Sequence, residues 1–351
     1  MTSSRRDWSP TCPVPVRHDA IMLAHGGGGR LTRELIETLF LPAFASPAGA
    51  ARHDSAVVTL GGIRVAFSTD TYVVHPRFFP GGDIGRLAVF GTVNDLAMAG
   101  ARPSYLSAGF VLEEGLPYAE LERVVASMRE AAVIAGVELV TGDTKVVDRG
   151  KGDGLFINTA GIGLVPDGVD LHPGQAAPGD VVLLSGDVGR HGIAVLSVRD
   201  GLAFETSVES DCAPLADLVA ALVGAGVALR CLRDPTRGGL ATALNELALD
   251  GGVGVEIDEA AIPVHEGVAG ACEILGLDPL YVACEGRMIA IVPEEHAAPA
   301  LDVLRRHPVG AGAALVGRIV GEHPKAVALR TRLGSRRLLD LLSGEQLPRI
   351  C

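Results

Sequence analysis

The sequence has no long apolar run, no paired cysteine motif and no excess of basic residues. No stretch approaches the ~20 consecutive apolar residues of a membrane span, and the first twenty residues lack the apolar core of a secretory signal. The six cysteines are scattered without a C-x-x-C pair, which argues against a zinc site or a disulfide framework. With 30 Lys and Arg against 42 Asp and Glu, the net charge of −12 disfavours nucleic acid and anionic membranes as partners. We therefore expect a soluble cytoplasmic protein with reduced thiols.

What the sequence does have is enough apolar material for two packed domains. It is 351 residues long and 48% hydrophobic, and domains commonly contain ~150 residues. The best boundary signal is Pro166-Asp167-Gly168, after which strand-like and helical patterns alternate again. We divide the chain into a polar N-terminal arm (1–18), an N-terminal domain (19–168), a C-terminal domain (169–332) and a tail (333–351). Within the tail we expect one short element at Leu333–Leu342 and an exposed segment over Ser343–Cys351.

Hydrophobic periodicity predicts the main elements of two α/β halves. Helical spacing of apolar residues covers Leu31–Phe44 and Tyr118–Ala135, and β-branched runs predict strands at Ala56–Leu60 and Ile63–Ser68. The remaining predicted elements are strands at Glu138–Thr141, Leu155–Val165, Val181–Ser185, Met288–Val292 and Leu315–Val320, and helices from about Gly192 and over Pro214–Val223 and Gly238–Leu249.

Four short acidic phrases in the first half point towards a metal–nucleotide site. They are His53-Asp54-Ser55, Ser68-Thr69-Asp70-Thr71, Thr92-Val93-Asn94-Asp95 and Thr141-Gly142-Asp143-Thr144-Lys145. Carboxylates at strand ends and helix starts suit Mg²⁺, which prefers oxygen ligands and bridges phosphates. Lys145 would supply positive charge for a transferring phosphoryl group. The alternative is that each aspartate only caps a helix or completes a turn.

Glycine-rich turns precede several of the predicted helices. The loop Gly26–Gly29 begins the first helix, where backbone N–H groups can hold phosphate. It matches neither of the two common nucleotide-loop signatures. In the second half, Asp187–Gly192 and Asp234–Leu240, which contains Thr236, are similar turns. Simple strand-to-helix connections are the alternative interpretation of both.

The last residue of the sequence is a cysteine. Cys351 has a sterically free thiol, Pro348 stiffens the chain before it, and Arg349 offers a charge to an anionic site. Because the α-carboxylate of the same residue disfavours the thiolate, the thiol suits a carrier of an activated group better than a protease-type nucleophile. An incidental exposed cysteine is the alternative.

Together these phrases resemble the hydrogenase-maturation carbamoyl dehydratases of the HypE family, within the aminoimidazole-ribonucleotide-synthetase-like superfamily. The resemblance covers essentially the whole chain after about residue 20. It is carried by HGGGGRLT, STDTYVVHPRFFPGGDIGRLAVFGTVNDLAMAGARP, TGDTKVV, GDGLFINTAGIG, SGDVGRHGIAVLSVRDGLAFE, DPTRGGLATALNE and the terminal PRIC. The terminal phrase separates this family from its relatives thiamine-monophosphate kinase and selenophosphate synthetase.

The resemblance implies an α+β fold of the α/β-sandwich type, with two αβ domains of the aminoimidazole ribonucleotide synthetase-like fold and a flexible C-terminal tail. The N-terminal strands of two copies would form the barrel of a homodimer. ATP and Mg²⁺ are the implied cofactors. The implied partners are a HypF-like carbamoyltransferase, which loads Cys351, and a HypC–HypD iron scaffold complex, which receives the cyano group.

The same resemblance assigns the site residues. The metal candidates are Asp54, Asp70, Asp95, Asp143 and Asp234. The residues assigned to the nucleotide are Gly26, Gly27, Gly28, Gly29, Thr69, Asn94, Gly142, Thr144, Lys145 and Thr236. Family members commonly have paired aspartates where this chain has His53-Asp54, which leaves the number of metal ligands open.

The implied chemistry is the ATP-dependent dehydration of a carbamoyl group, carried on Cys351 as a thiocarboxamide, to a thiocyanate. The carboxamide oxygen would attack the γ-phosphate, assisted by Mg²⁺ and Lys145, and phosphate would leave as a base removes the N–H proton. Glu285 is the candidate base, with a surface position or a salt bridge to Arg287 as its alternative. We expect Cys284 to be a small packing residue.

Two other functions remain open at this point. One is a superfamily kinase or synthetase that acts on a free small molecule, and the other is a non-catalytic scaffold that binds ATP in order to dock partners. The first would not need Cys351, and the second would not release water from a carbamoylated C-terminal peptide.

Overall fold

The computed structural model describes residues 18–44, 53–202, 207–342, 344, 347 and 349–351. Apart from His18, the predicted N-terminal arm lies outside the described residues, as do Cys12 and Pro348. None of the described helices is long and apolar enough to cross a membrane. Two large β-sheets, one in each half of the chain, organise the described residues, together with a small two-stranded sheet.

The N-terminal half is built around a five-stranded sheet. Its elements are α1 (Arg30–Leu35), a π-helical segment (Ile36–Phe40), α2 (Leu41–Ala43), β1 (Ala56–Leu60), β2 (Ile63–Tyr72), β3 (Phe78–Phe79), β4 (Gly82–Asp83), α3 (Ile84–Met98), β5 (Arg102–Glu113), α4 (Tyr118–Ala135), β6 (Glu138–Val147) and β7 (Leu155–Leu164). The strand order is β1-β2-β7-β5-β6, in which β5 and β6 are parallel and the other neighbours antiparallel. Strands β3 and β4 form a separate ribbon.

Helices α3 and α4 pack against one face of this sheet. Asp83 begins α3, since its side chain accepts hydrogen bonds from the backbone N–H groups of Gly85 and Arg86. Helix α3 is buried almost all round because the sheet lies on one side of it and the C-terminal half on the other. Helix α4 is amphipathic and buries Val124 and Met128. The position of α3 therefore ties the two halves together.

The opposite face of the N-terminal sheet is open and apolar. Phe67, Ile162 and Tyr105 are neighbours across β2, β7 and β5, and they are 47%, 41% and 46% exposed. Contiguous exposed apolar side chains usually mark an interaction surface. Within the described part of the chain, nothing covers this face, which we call the open face.

The C-terminal half is built around a mixed seven-stranded sheet. Its elements are β8 (Val181–Leu184), α5 (Arg190–Arg199), α6 (Ala216–Gly224), β9 (Cys231–Arg233), α7 (Gly239–Gly251), β10 (Gly254–Asp258), α8 (Glu266–Leu275), β11 (Ile289–Val292), α9 (Ala297–Arg306), β12 (Ala314–Val320), β13 (Val327–Arg330) and β14 (Arg336–Leu339). The order is β14-β13-β10-β12-β8-β11-β9, and β10 and β13 are the parallel pair.

The central strands of this sheet are buried on both faces. Val182 and Leu184 of β8 pack in the core with α7, whereas Val181 and Leu183 pack in the core with α6 and α9. The residues on both faces of β8 are apolar because helices cover both sides of the sheet at this strand.

The end of the chain differs from the exposed segment expected over Ser343–Cys351. Ile350 and Cys351 are 4% and 7% exposed and belong to the hydrophobic core of the N-terminal half. Transfer of the apolar side chain of Ile350 out of water is favourable, which explains why this segment packs against the body of the protein. The short element predicted at Leu333–Leu342 is present as β14.

We predict that Gly91→Ala destabilises the protein. Gly91 lies where α3 packs on β2, and a Cβ atom there would overlap Oη of the buried Tyr72. Overpacking of this kind costs about 1–3 kcal/mol, which denaturant titration would measure as a loss of unfolding free energy.

Gly270→Ala in α8 is the matched control, because its added Cβ would meet no atom within 4 Å. This change should leave stability unchanged or raise it by about 0.5–1 kcal/mol through helix propensity. Equal effects of the two substitutions would contradict the packing explanation.

Candidate functional site

A cleft between the two halves gathers most of the predicted site residues. Asp70 lies on β2 and Asp95 on α3, whereas Asp54 precedes β1, Asp234 follows β9 and Glu285 precedes β11. The cleft is lined by Thr69, Thr236, Arg237 and Cys351 as well as by these five carboxylates. Four of the five predicted metal ligands, the candidate base and the terminal thiol thus share one cavity.

The carboxylates of the cleft raise one another's proton affinity. Burial is the largest cause of the raised pKa of Asp95, and the charges of Asp234, Asp70 and Asp54 raise it further. Burial also raises the pKa of Asp234 to about 8, again with help from the charge of Asp54. The pKa of Glu285 lies well above its ordinary value, chiefly because this side chain is buried. The cleft therefore concentrates negative charge in a place with little water.

This donor set fits a divalent cation that arrives with phosphate. Among the described residues, no three His, Cys, Asp or Glu side chains already form a metal cage. Mg²⁺ commonly uses one or two carboxylates together with water and substrate phosphates, so a preformed cage is not required. Asp54 Oδ2 and Glu285 Oε1 are buried without a hydrogen-bond partner in the described part of the chain. These oxygens are available to a ligand.

His53 precedes Asp54 and lines the edge of the same cleft. Burial and the nearby charge of Arg233 lower its pKa to about 3, so the imidazole is neutral. Its neighbour Asp54 pairs with Arg233 at 3.2 Å, between Oδ1 and Nε. His53 can offer a nitrogen ligand, but it adds no negative charge to the cleft.

The glycine loop lies beside the tail and Arg237. Arg237 Nη1 donates to the carbonyl of Gly26 at 3.1 Å. Gly28 has a φ of +79°, and a Cβ atom there would lie 3.0 Å from Arg237 Cβ, which favours glycine at this position. Negative charge on Cys351 is the largest cause of the raised pKa of Arg237. Sequence reasoning assigned no role to Arg237, although a cation within the DPTRGG turn was a visible signal.

The predicted site residues on β6 lie outside the cleft of their own chain. Lys145 Nζ pairs with Asp143 Oδ2 at 2.7 Å, and the two side chains are 69% and 70% exposed. Their partners on β5 are Val111 and Gly109, a register that places both charged residues on the open face of the sheet. Gly142 alternates with them along the same edge strand, as does Thr144. One chain alone does not bring these residues to the cleft.

Asn94 joins α3 to the loop that carries Glu285. Its Nδ2 donates to the carbonyls of Ala213 and Glu285, at 3.1 and 3.2 Å, and its Oδ1 accepts from the N–H of Leu215. Asp211 Oδ1 accepts from the N–H of Glu285 at 3.0 Å. The peptide groups of Glu285 are therefore fixed from two sides. Asp211 is a second residue that sequence reasoning missed, and no motif pointed to it.

Glu285 does not form the salt bridge with Arg287 that was its alternative role in the sequence analysis. Glu285 is 4% exposed, and Arg287 Nη2 instead pairs with Asp187 Oδ1 at 2.6 Å. The neighbouring Cys284 is fully buried in the core of the C-terminal half, as its predicted packing role requires.

The tail runs antiparallel to the segment after β2 and ends in the cleft. The N–H of Val73 donates to the backbone oxygen of Cys351 at 2.9 Å, and the N–H of His75 donates to the carbonyl of Arg349 at 3.2 Å. Arg349 Nε donates to the carbonyl of Val73, and its guanidinium pairs with Asp153. Burial raises the pKa of the Cys351 thiol, so the docked thiol is protonated at neutral pH.

Comparison with known proteins first defines a class. The description "AIR synthase related protein, N-terminal domain" matches residues 52–165, and the corresponding C-terminal domain matches residues 177–329. The two matches cover most of the chain and follow its two sheets. The chain is an AIR synthase related protein with both domains, as the sequence resemblance implied, and the described strands of one chain form no closed barrel.

Closer relatives then define the family. A carbamoyl dehydratase HypE from Azotobacter vinelandii is 55% identical over 338 residues, which span 96% of this chain and 99% of that protein. A crystal structure of a HypE–HypF complex contains a chain that matches with a TM-score of 0.84 and 45% identity, covering 88% of this chain and 99% of that chain. The hydrogenase maturation protein HypE crystallised with ATP matches with a TM-score of 0.80 and 51% identity, covering 95% and 100%. This chain belongs to the carbamoyl dehydratase HypE family of hydrogenase maturation proteins.

We predict that, in the protein without divalent cations, the contribution of Asp234 to stability falls as the pH rises from about 4 to about 8. Asp234 has a pKa of about 8 in the folded state and 3.8 as its ordinary value. Between these values the folded protein holds a proton that the unfolded chain has released, so stability falls with rising pH. Asp234→Asn removes this ionisation and should raise the unfolding free energy at pH 8 by about 2 kcal/mol, measured by denaturant titration.

Asp302→Asn on α9 is the matched control, because the Asp302 side chain is 57% exposed. It should change the unfolding free energy little at pH 6 or pH 8. If the parent were equally stable at both pH values, or if Asp234→Asn gave no gain at pH 8, burial of charge would not be the explanation.

Proposed function

We propose that this chain dehydrates a carbamoyl group carried on Cys351 to a thiocyanate, with ATP and Mg²⁺ bound in the cleft. The observation that carries the proposal is that the docked tail puts the Cys351 thiol in the same cavity as the acidic cluster and Glu285. A relative that was crystallised with ATP supports the choice of nucleotide. The product would be the source of the cyanide ligand on the iron of [NiFe]-hydrogenase.

The proposed reaction balances without an oxidant or a reductant. The carboxamide oxygen forms a bond to the γ-phosphorus of ATP as the bond to the β-phosphate oxygen breaks and ADP leaves. The carbon–oxygen bond then breaks, and its electron pair leaves with inorganic phosphate. Both N–H protons are lost as the C≡N bond forms, one to phosphate and one to a base. The sulfur stays bonded to carbon throughout.

In the proposal, the nucleotide and its metal occupy the acidic side of the cleft. Asp54, Asp70, Asp95 and Asp234 would hold Mg²⁺, which would neutralise phosphate charge when bound. The phosphates would lie near the loop Gly26–Gly29 and the hydroxyl groups of Thr69 and Thr236. Arg237 would add positive charge between the phosphates and the tail.

Glu285 is the proposed base. Burial raises the pKa of its carboxyl group and so increases its affinity for a proton, and a cation bound to the neighbouring aspartates would favour the ionised form that accepts the N–H proton. Asn94 and Asp211 hold its backbone from both sides, so the carboxylate can act from a fixed position. We propose that both act as positioning residues for this base.

The proposal requires the tail to leave the cleft. Cys351 is 7% exposed when docked, so another protein cannot reach its thiol. The tail would therefore undock to receive the carbamoyl group from a HypF-like carbamoyltransferase, and again to deliver the cyano group to a HypC–HypD complex in the cytoplasm. One relative was crystallised as a HypE–HypF complex, which supports the first of these partners.

We further propose that the chain works as a homodimer and that Lys145 acts on the site of the partner subunit. The open face carries Phe67, Tyr105 and Ile162 in one exposed row, and a second copy would bury them. Lys145 lies on the same face and outside the cleft of its own chain. A two-fold axis through the open face would carry this ammonium group, with Asp143, towards the other subunit.

Glu285→Gln should slow dehydration while sparing the loading of Cys351. Loss of a general base typically lowers a rate by about 10²–10⁴. The measurement is mass spectrometry of the C-terminal peptide after incubation with a carbamoyltransferase, its carbamoyl donor and ATP, in which dehydration appears as the loss of one water. The exposed Glu294→Gln is the matched control.

Two outcomes would replace the proposal with one of its rivals. Cys351→Ser that still turned over ATP with a soluble metabolite would indicate a small-molecule kinase. A carbamoylated parent protein that never lost water in the presence of Mg-ATP would indicate a non-catalytic scaffold.

Mixed dimers test whether Lys145 acts across the subunit interface. Lys145→Ala should slow dehydration about 10²-fold or more, through lost stabilisation of phosphoryl charge, and Cys351→Ser has no thiol to load. A mixed dimer of these two variants, isolated with two affinity tags, should regain dehydration because one site combines an intact thiol with the intact lysine of the other chain.

Lys151→Ala, also exposed and close in sequence, is the control and should behave as the parent. A mixed dimer as slow as the Lys145→Ala homodimer would place the lysine in its own site. A parent protein that sedimented as a monomer would remove the basis of the test.

A further inference from the structure

His191, at the start of α5, contacts the docked tail directly. The imidazole is fully buried, and its Nε2 lies 2.7 Å from the carbonyl oxygen of Ile350. Because a carbonyl only accepts, Nε2 carries the hydrogen of this bond. Ile350 is the residue before Cys351, so the bond fixes the backbone one residue away from the thiol.

The other ring nitrogen is fixed by the body of the protein. Nδ1 lies 2.9 Å from Ser210 Oγ, and that oxygen in turn accepts from the N–H of Cys212 at 3.1 Å. Because Nε2 carries the hydrogen of the neutral imidazole, Nδ1 accepts, and Ser210 donates its hydroxyl hydrogen to it, an arrangement that favours the tautomer presenting Nε2–H to the tail. The ring of Phe79 meets the imidazole edge to face at 5.2 Å. Ser210 and Phe79 hold the imidazole from outside the tail.

We infer that His191 is a positioning residue that holds the docked tail through the Ile350 carbonyl and so sets the balance between the docked and undocked positions of Cys351. This inference rests on the proposed function for its meaning, since docking matters when the thiol carries a group to the cleft. A second expectation follows from the hydrogen bond itself and does not depend on the proposed function: removal of the Nε2 donor exposes the Cys351 thiol. Arg349 and the N–H groups of Val73 and His75 make further hydrogen bonds between the last three residues and the body of the protein.

The test measures native-state alkylation of Cys351 by iodoacetamide, read by mass spectrometry of the C-terminal peptide. His191→Phe keeps an aromatic ring but removes both nitrogens, and it should speed alkylation about tenfold. His191→Gln keeps an N–H donor on a side chain of similar reach and should bring the rate back towards that of the parent. Ser210→Ala leaves the imidazole in place without its orienting partner and should increase the alkylation rate less than His191→Phe does. This variant keeps the test decisive if His191→Phe folds poorly.

Controls separate local undocking from general loosening. The buried Cys284 reports on the core, and its alkylation should not change in any variant. His265→Phe replaces another histidine at a helix start in the same half and should leave the alkylation of Cys351 unchanged. In the carbamoylation assay, His191→Phe should load Cys351 at least as fast as the parent and dehydrate it more slowly, a split that simple destabilisation would not produce.

The inference fails if His191→Phe leaves the alkylation rate of Cys351 at the parent value, or if Cys351 and Cys284 become reactive together. It also fails if His191→Gln behaves like His191→Phe. A parent protein that is loaded but never dehydrated would refute the proposed function and would leave the alkylation result to decide the role of His191.

Discussion

The burial of several carboxyl groups in one cleft is the constraint on which the rest of the site depends. Asp234 and Glu285 are 8% and 4% exposed, and burial, with a further contribution from neighbouring carboxylates, raises the pKa of each. Burial of ionised carboxylates costs free energy unless a proton or a cation neutralises them. The fold sustains this cost because α3, which carries Asp95, is packed between two hydrophobic cores. A cleft built in this way gains stability when it binds a cation, which is the property that a magnesium–nucleotide site needs.

Hydrophobic periodicity predicts the helices and strands that have one buried face and one solvated face. The bounds of β1 and α4 match the prediction, because one face of α4 is apolar and the other is solvated. Helix α3 escapes prediction because it is apolar on nearly every side, and β5 gives no clear pattern. The predicted cluster of Asp54, Asp70, Asp95 and Asp234 forms because each residue lies at or near the end of a strand or within α3, at the boundary between the halves. The short acidic phrases pointed to Asp54, Asp70 and Asp95, whereas Asp234 entered the prediction through the family resemblance.

Other features of the site depend on register and on long-range packing. The pairing of β5 with β6 shifts by one residue after Leu106, so that Asp143 and Lys145 point to the open face. No local pattern reveals such a shift, since it reverses which side chains share a face. The contacts of Asn94 with Glu285 and of His191 with Ile350 join residues more than 150 positions apart in the chain. Their partners could not be inferred without the fold.

Docking of the tail and binding of a cation are coupled by charge. Docking brings the α-carboxylate of Cys351 to a cleft that is already lined by six carboxyl side chains. The guanidinium of Arg237 lines the same cleft and offsets part of this charge. A divalent cation among the aspartates would offset more of it and would therefore favour the docked tail. By thermodynamic reciprocity, a docked tail would then hold the cation more tightly by the same factor. The acidic cluster thus both prepares the site for its metal and makes entry of the tail respond to that metal.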